Sequence, residues 1–198
     1  MMWLIGFEFE SNFIFKKHQK TNNFIEKFVL DKSCAIEAIS YPVELTNDVN
    51  KTKEGEVIGG TIIISGNLVQ DHEFIYPYYR LLEAKSKLDV CIIGGKPVNG
   101  FLGTPLPPNK DQQVKDINQI KVEDYDLLVL PGGVKAMEKI RQNEKLIKFV
   151  SDFHKADKII ACICSGAQLL ISAKIVKGKK IAGYYSMKDD IINAGGIY

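Results

Sequence analysis

Cys164 sits where a chain can do chemistry. It ends the apolar run of "KIIACICSGAQLL" (Lys158–Leu170), and Ser165-Gly166 then opens a second apolar stretch. A buried strand that turns sharply into a helix leaves its last side chain at the carboxyl edge of a sheet. The helix that follows offers unbonded backbone N–H groups and the positive end of its dipole. A thiolate there is stabilised, so the sequence predicts a Cys164 pKa below that of free cysteine. Gly166 keeps a side chain out of the crowded turn. The N–H groups around Ser165 can also hold an oxyanion. A second source of N–H groups is then needed, and "LPGG" (Leu130–Gly133) supplies a turn of that kind. On pattern alone, a buried structural thiol accounts for Cys164 equally well. Cys162, two residues earlier, reads as core. No Cys or His cluster has metal-ligand spacing, so neither a metal nor a cofactor is expected.

The elements that must position this thiol follow from hydrophobic periodicity. "GGTIIIS", "LDVCIIGG", "DYDLLVLPGG", "DKIIACIC" and "KKIAGYY" read as five strands. "EFIYPYYRLLEAKSK" has Phe74, Tyr78, Leu81 and Leu82 at helical spacing. "AMEKIRQNEKLIKFVSDFHKA" reads as one helix, with Met137, Ile140, Leu146, Val150 and Phe153 on one face. "GAQLLISA" is a short buried helix, "MKDDIINAG" a helix stopped by Gly195, and "GFLGTPLPPNKDQQ" a loop. Strands alternating with helices predict a parallel sheet covered on both faces, with its site at the strands' carboxyl ends. Ahead of Gly60 the pattern is irregular. "MMWLIGFEFE" reads as a short strand, and "NNFIEKFVLDKSCAIEAIS" as an amphipathic helix capped by Asn22 or Asn23. "TNDVNKTKEGEVIGG" reads as a linker. The domains expected are an amino-terminal extension, 1–56, and an α/β domain, 57–198.

The totals exclude several classes. The 198 residues are 45% apolar and 25% charged, which is ordinary for a soluble domain. A formal charge of +2 gives no electrostatic case for nucleic acid or a membrane surface. Apolar runs are too short to span a bilayer. "MMWLIGF" lacks the parts of a signal peptide. The four scattered cysteines are the usage of a reducing compartment, so a cytoplasmic protein is expected.

"EFIYPYYRL", "DYDLLVLPGG", "ICSGAQLLISA" and "YSMKDDIINAGG", in this order and spacing, resemble the ThiJ/PfpI superfamily, above all its PfpI-type intracellular peptidase and deglycase branch. The resemblance spans roughly 57–198. It implies a flavodoxin-like three-layer sandwich with a mostly parallel sheet, like that of class I glutamine amidotransferases. It makes Cys164 the nucleophile and Gly133 the oxyanion-hole glycine. Glu73, four residues before Pro77, matches the buried acid that bonds the sulfur. Without the resemblance, Glu73 reads as an ordinary acid in the first turn of a helix. Burial would raise its pKa and keep on it the proton it donates. Glu138 falls, one residue out of register, near an acid that the PfpI branch lends to a neighbouring subunit. Activities in this family include peptidase, methylglyoxal-to-lactate conversion of the glyoxalase III type, and removal of early glycation adducts. Redox-responsive chaperones belong to it too. Dimers are usual, and the PfpI branch forms hexamers.

The chain departs from that pattern in three places. The PfpI branch carries a histidine directly after the nucleophile, and here Ser165 stands there. Other branches carry a histidine on the next strand, and here the position is about Tyr184. The domain also stops at Tyr198, before the closing elements that the family usually adds. Of the three histidines, His18, His72 and His154, only His72 neighbours Glu73, and His154 reads as solvated. A missing Cys–His couple weakens amide cleavage most, because the amine must be protonated to leave. The expected function is therefore cysteine chemistry on small reactive carbonyls, or less readily on peptides, in a homo-oligomer. The alternative is a non-enzymatic redox sensor or chaperone in which Cys164 is oxidised to a sulfinate. A glutamine amidotransferase needs a histidine after the cysteine, and none follows Cys164.

Overall fold

Short runs of β-branched residues form the centre of the molecule because both faces of each strand are covered. Ile62, Ile63 and Ile64 are all fully buried, which accounts for a continuous apolar run in place of alternation. A computed structural model describes residues 4–7 and 60–198. Its strands are β1 (Leu4–Phe7), β2 (Thr61–Ser65), β3 (Leu88–Ile92), β4 (Val98–Asn99), β5 (Pro105–Leu106), β6 (Val114–Lys115), β7 (Leu127–Leu130) and β8 (Ile159–Ile163). The main sheet has the order β1-β8-β7-β2-β3-β6, and every neighbouring pair in it is parallel. Strands β4 and β5 make a small antiparallel pair of their own, β5 lying inside the stretch 100–113 expected to be loop and β4 just before it.

Among the described residues five helices belong to this sheet: α1 (Asp71–Glu83), α2 (Val134–Ile140), α3 (Glu144–Lys155), α4 (Ala167–Ser172) and α5 (Lys188–Asn193). The result is a three-layer α/β sandwich with one continuous core. Phe74, Tyr78 and Leu81 are the buried face of α1, and Leu146, Phe149, Val150 and Phe153 that of α3. The carboxyl ends of β2, β7 and β8 lie side by side, and the loops that leave them build the site.

Two expectations are corrected. The long helix predicted from Ala136 onward is broken at 141–143. Asn143 caps a new helix there, its side-chain oxygen accepting the Leu146 N–H at 3.1 Å. The strand predicted in "KKIAGYY" is absent. Both edges of β8 are already occupied, by β7 and by β1, so no place beside it remains. The segment makes one parallel bridge, Lys180 with Ile197, with the Ile197 N–H on Lys179 O and the Ile181 N–H on Ile197 O, both at 2.8 Å. The expected strand near the start of the chain includes β1, whose backbone pairs with β8 from Leu4↔Ile160 to Phe7↔Ile163. The amphipathic stretch after Asn22, the linker, His18 and Cys34 lie outside the described residues.

Candidate active site

Strand β8 ends at Ile163 in extended conformation, and Cys164 follows with φ 54°. That left-handed value is uncommon for a residue with a Cβ and marks a strained turn. Cys164–Gly166 form a single 3-10 turn that runs directly into α4. The strand–turn–helix layout read from the sequence is therefore present. It leaves Cys164 half-buried at the sheet edge, while Cys162, 1% exposed, is core. Gly166 is needed for its size, because a Cβ there would stand 2.4 Å from the Leu130 carbonyl oxygen.

Three groups converge on the Cys164 sulfur. The Ser165 and Gly133 backbone N–H groups bond to it, and so does the Glu73 carboxyl group. Glu73 comes from the first turn of α1 and is 6% exposed. Its Oε2 accepts the Gly132 N–H at 2.7 Å. Gly132 is the wedge between acid and thiol. A Cβ on it would lie 2.5 Å from Glu73 Oε2 and 2.8 Å from Cys164 Cβ. Gly133 next turns the chain with φ 93°, which aims its own N–H at the sulfur.

Burial is the largest influence on Glu73 and raises its pKa, against the Gly132 N–H, the Cys164 hydrogen bond and the nearby His72 charge. Burial also raises Cys164. The charge of Glu73 adds to it, the Ser165 and Gly133 N–H groups oppose it, and the thiol is pushed up to about 11. This overturns the expected depression below free cysteine. The N–H groups act as predicted, but desolvation and a neighbouring carboxylate outweigh them. With both members raised, the pair loses its last proton only in the alkaline range. Cys91 and Cys162 are buried and pushed up further, each to about 12.

The remaining predicted residues fall around this centre. Ser165 is 4% exposed, and its hydroxyl has no hydrogen-bond partner among the described residues. Its backbone N–H bonds the Cys164 sulfur. Tyr184 is 40% exposed and donates its backbone N–H to the Cys164 carbonyl at 3.2 Å, so its main chain fixes the turn. His72 is exposed on α1, close enough to Glu73 for its charge to be felt. Glu138 is exposed on α2 and has no described contact with Cys164. His154 is half-buried, not solvated as expected, and burial lowers its pKa.

Gly132 and Asp71 were not foreseen. Asp71 is buried two residues before Glu73, and its carboxylate accepts the Leu102 N–H at 2.7 Å and the Thr104 N–H at 3.0 Å. The neighbouring Phe101 N–H bonds Val69 O at 2.8 Å. One helix turn therefore holds both the candidate acid and the anchor of the 100–104 loop beside it. In sequence the only signal is an Asp-x-Glu pair at a helix start, which capping alone explains. Burial raises the Asp71 pKa, but the Thr104 and Leu102 hydrogen bonds outweigh it, so its net shift is downward. A lowered carboxylate contributes stability above its unfolded pKa and loses it as pH falls through the folded one. Asp71→Asn should therefore cost about 1–3 kcal/mol at neutral pH. The gap from wild type, read by urea unfolding, should shrink below about pH 4.

A parallel α/β sandwich whose site is a cysteine at a strand-to-helix turn, with a buried glutamate and two backbone N–H groups on its sulfur, defines a recognisable class of protein. The DJ-1/PfpI family model matches residues 61–198, and the chain belongs to that family. A protein named as a deglycase in Pyrococcus abyssi is 37% identical over 134 residues, 68% of this chain and 77% of that one. Deglycase PfpI of Pyrococcus furiosus is 34% identical over the same length and shares. The crystal structure of a two-domain protein from Anabaena variabilis, with DJ-1/ThiJ/PfpI-like and ferritin-like domains, matches with a TM-score of 0.63 at 27% identity. The match covers 70% of this chain and 38% of that one.

Proposed function

We propose that this chain is a cysteine-dependent enzyme acting on reactive carbonyl compounds, in the manner of a glyoxalase III or a deglycase. The observation that carries the reading is the convergence of Glu73 and the Gly133 and Ser165 N–H groups on the Cys164 sulfur. The deglycase names of relatives in Pyrococcus support it.

Cys164 Sγ adds to the aldehyde carbon of methylglyoxal while Glu73 holds the proton released from sulfur. The carbonyl oxygen becomes an alkoxide that the Gly133 and Ser165 N–H groups stabilise, and protonation gives a hemithioacetal. Shifting the proton on C1 to C2 turns the hemithioacetal into the thioester of lactate. Water then cleaves the C–S bond and restores the thiol. C1 is oxidised and C2 reduced within one molecule, so methylglyoxal and water give lactate with no external oxidant. Peptide cleavage is the less favoured activity. It must protonate an amine leaving group, and Ser165 offers no acid for that step.

A cytoplasmic homo-oligomer, dimer or hexamer, completes the reading. Cys91, Cys162 and Cys164 are all free thiols, as in a reducing compartment. Glu138, exposed on α2, is available to a neighbouring subunit. No helix among the described residues is long and apolar enough to cross a membrane. The test is lactate formation from methylglyoxal by the purified chain. A folded protein that makes none, yet suppresses aggregation of a client, is a holdase and not this enzyme.

A further inference from the structure

We propose that Lys135, seated over Phe101 at the mouth of the Cys164 site, makes this site prefer carbonyl compounds that carry an anionic oxygen group, a carboxylate or a phosphate. The inference rests on the carbonyl reading above and names its substrate class.

Two chain segments meet beside Cys164, and hydrogen bonds tie them together. The Gln70 N–H bonds Gly132 O at 3.3 Å, and the Phe101 N–H bonds Val69 O at 2.8 Å. The next glycine, Gly133, gives its N–H to the sulfur, and Lys135 is two residues further on. Above this seam the Lys135 ammonium stands 5.0 Å from the centre of the Phe101 ring. Side chains from the 100–104 loop and from α2 therefore meet beside the turn that carries Gly133. The loop is pinned by the buried Asp71 carboxylate, so Phe101 is held where it is.

This cation is uncompensated. Among the described residues Lys135 enters no ion pair, and Glu138, three positions on along α2, does not reach it. The other charges near the centre are Glu73 and Asp71, both buried, the Asp71 carboxylate bonded to the Leu102 and Thr104 N–H groups, and His72, which is exposed on α1. Phe101 is 51% exposed and Val134 52%, so the rim beside the ammonium is apolar. A ring face satisfies one side of an ammonium and leaves its N–H donors to solvent. An apolar rim with one free cation next to a thiol and an oxyanion-binding turn suits a short carbonyl compound with an anionic group attached. The carbonyl would sit on Gly133 and Ser165, and its anion would reach Lys135.

The test needs no turnover. Iodoacetamide and iodoacetate are nearly the same size and differ by one negative charge. Their alkylation rates at Cys164, followed by mass spectrometry, report the field at the sulfur. Lys135→Met should lower the iodoacetate-to-iodoacetamide rate ratio about threefold to tenfold at low salt. The iodoacetamide rate should fall much less than the iodoacetate rate, because any loss of thiolate is shared by both reagents and cancels in the ratio. Lys135→Arg should keep the ratio, and added salt should narrow the difference. A ratio that Lys135→Met leaves unaltered overturns the proposal. In a second arm, Lys135→Met should raise KM for 4,5-dioxovalerate, an α-ketoaldehyde that carries a carboxylate and gives 2-hydroxyglutarate by the same proton shift and hydrolysis, while changing the constants for neutral methylglyoxal much less. Equal effects on both substrates also overturn it. If wild type consumes neither substrate, the carbonyl reading has failed, and the alkylation ratio still decides the role of Lys135.

Discussion

Cys164→Ser should lower methylglyoxal turnover by at least about 10³-fold and leave the urea midpoint nearly unchanged. A serine hydroxyl gives up its proton far less readily than a thiol, and no histidine adjoins residue 164 to take it. Serine also meets the same backbone constraint as cysteine, at φ 54°. Strain of that kind costs on the order of 1–3 kcal/mol and persists in the variant. Glycine would release it. Cys164→Gly should therefore be equally inactive and more stable than wild type by about 1 kcal/mol. A serine variant retaining a tenth of the activity would remove Cys164 from the chemistry. A glycine variant no more stable than wild type would show that the turn holds no strain.

Gly132→Ala should disrupt the site by wedging its acid and thiol apart. The new carbon would lie 2.5 Å from Glu73 Oε2, 2.8 Å from Cys164 Cβ and 2.8 Å from the Ile163 carbonyl oxygen. None of these is the end of a flexible surface side chain, so acid and thiol must move apart. Overpacking of this kind costs about 1–3 kcal/mol. The Gly132 N–H would also lose its bond to Glu73, and the adjacent Gly133 N–H would shift from the sulfur. Turnover should fall about 10²–10³-fold, the usual effect of losing an oxyanion donor. Stopped assays with urea unfolding on the same samples check both numbers. Wild-type activity in Gly132→Ala would mean the site tolerates a wider separation than the observed contacts allow.

Strands β2, β3, β7 and β8 were legible because a strand buried on both faces is a short run of β-branched and apolar residues, and few other structures give that run. The helix around α2 and α3 was misjudged because its apolar period continues in register past Gln142. Only the Asn143 cap, worth about 1 kcal/mol, interrupts it. "KKIAGYY" has the composition of a strand and is not one, since strand formation needs a free neighbour and β1 already lies on β8. Pairing between Leu4–Phe7 and Ile160–Ile163 leaves no local trace in either segment.

The site shows the same division. The turn at Cys164 was visible because strand, thiol, glycine and helix are contiguous. Glu73 needed the family resemblance, since nothing near it in the chain points to a sulfur ninety residues away. Asp71 and Gly132 went unseen because their partners, Leu102, Thr104 and Glu73, are distant in sequence. The direction of the Cys164 pKa was misread for the same reason. The local N–H groups can be counted from sequence, but burial and the charge of Glu73 arise only on folding.

The proposed chemistry requires Cys164 and Glu73 to titrate as one coupled pair, the charge of Glu73 holding the thiol up. The most direct measurement is the pH dependence of Cys164 alkylation by iodoacetamide in wild type and Glu73→Gln. A coupled pair gives wild type two steps, the second rising toward about 11, where the last proton leaves. Glutamine cannot ionise, so Glu73→Gln should show a single step with its midpoint between the two. Identical one-step profiles in both proteins would contradict the pairing and leave Glu73 as a structural acid only.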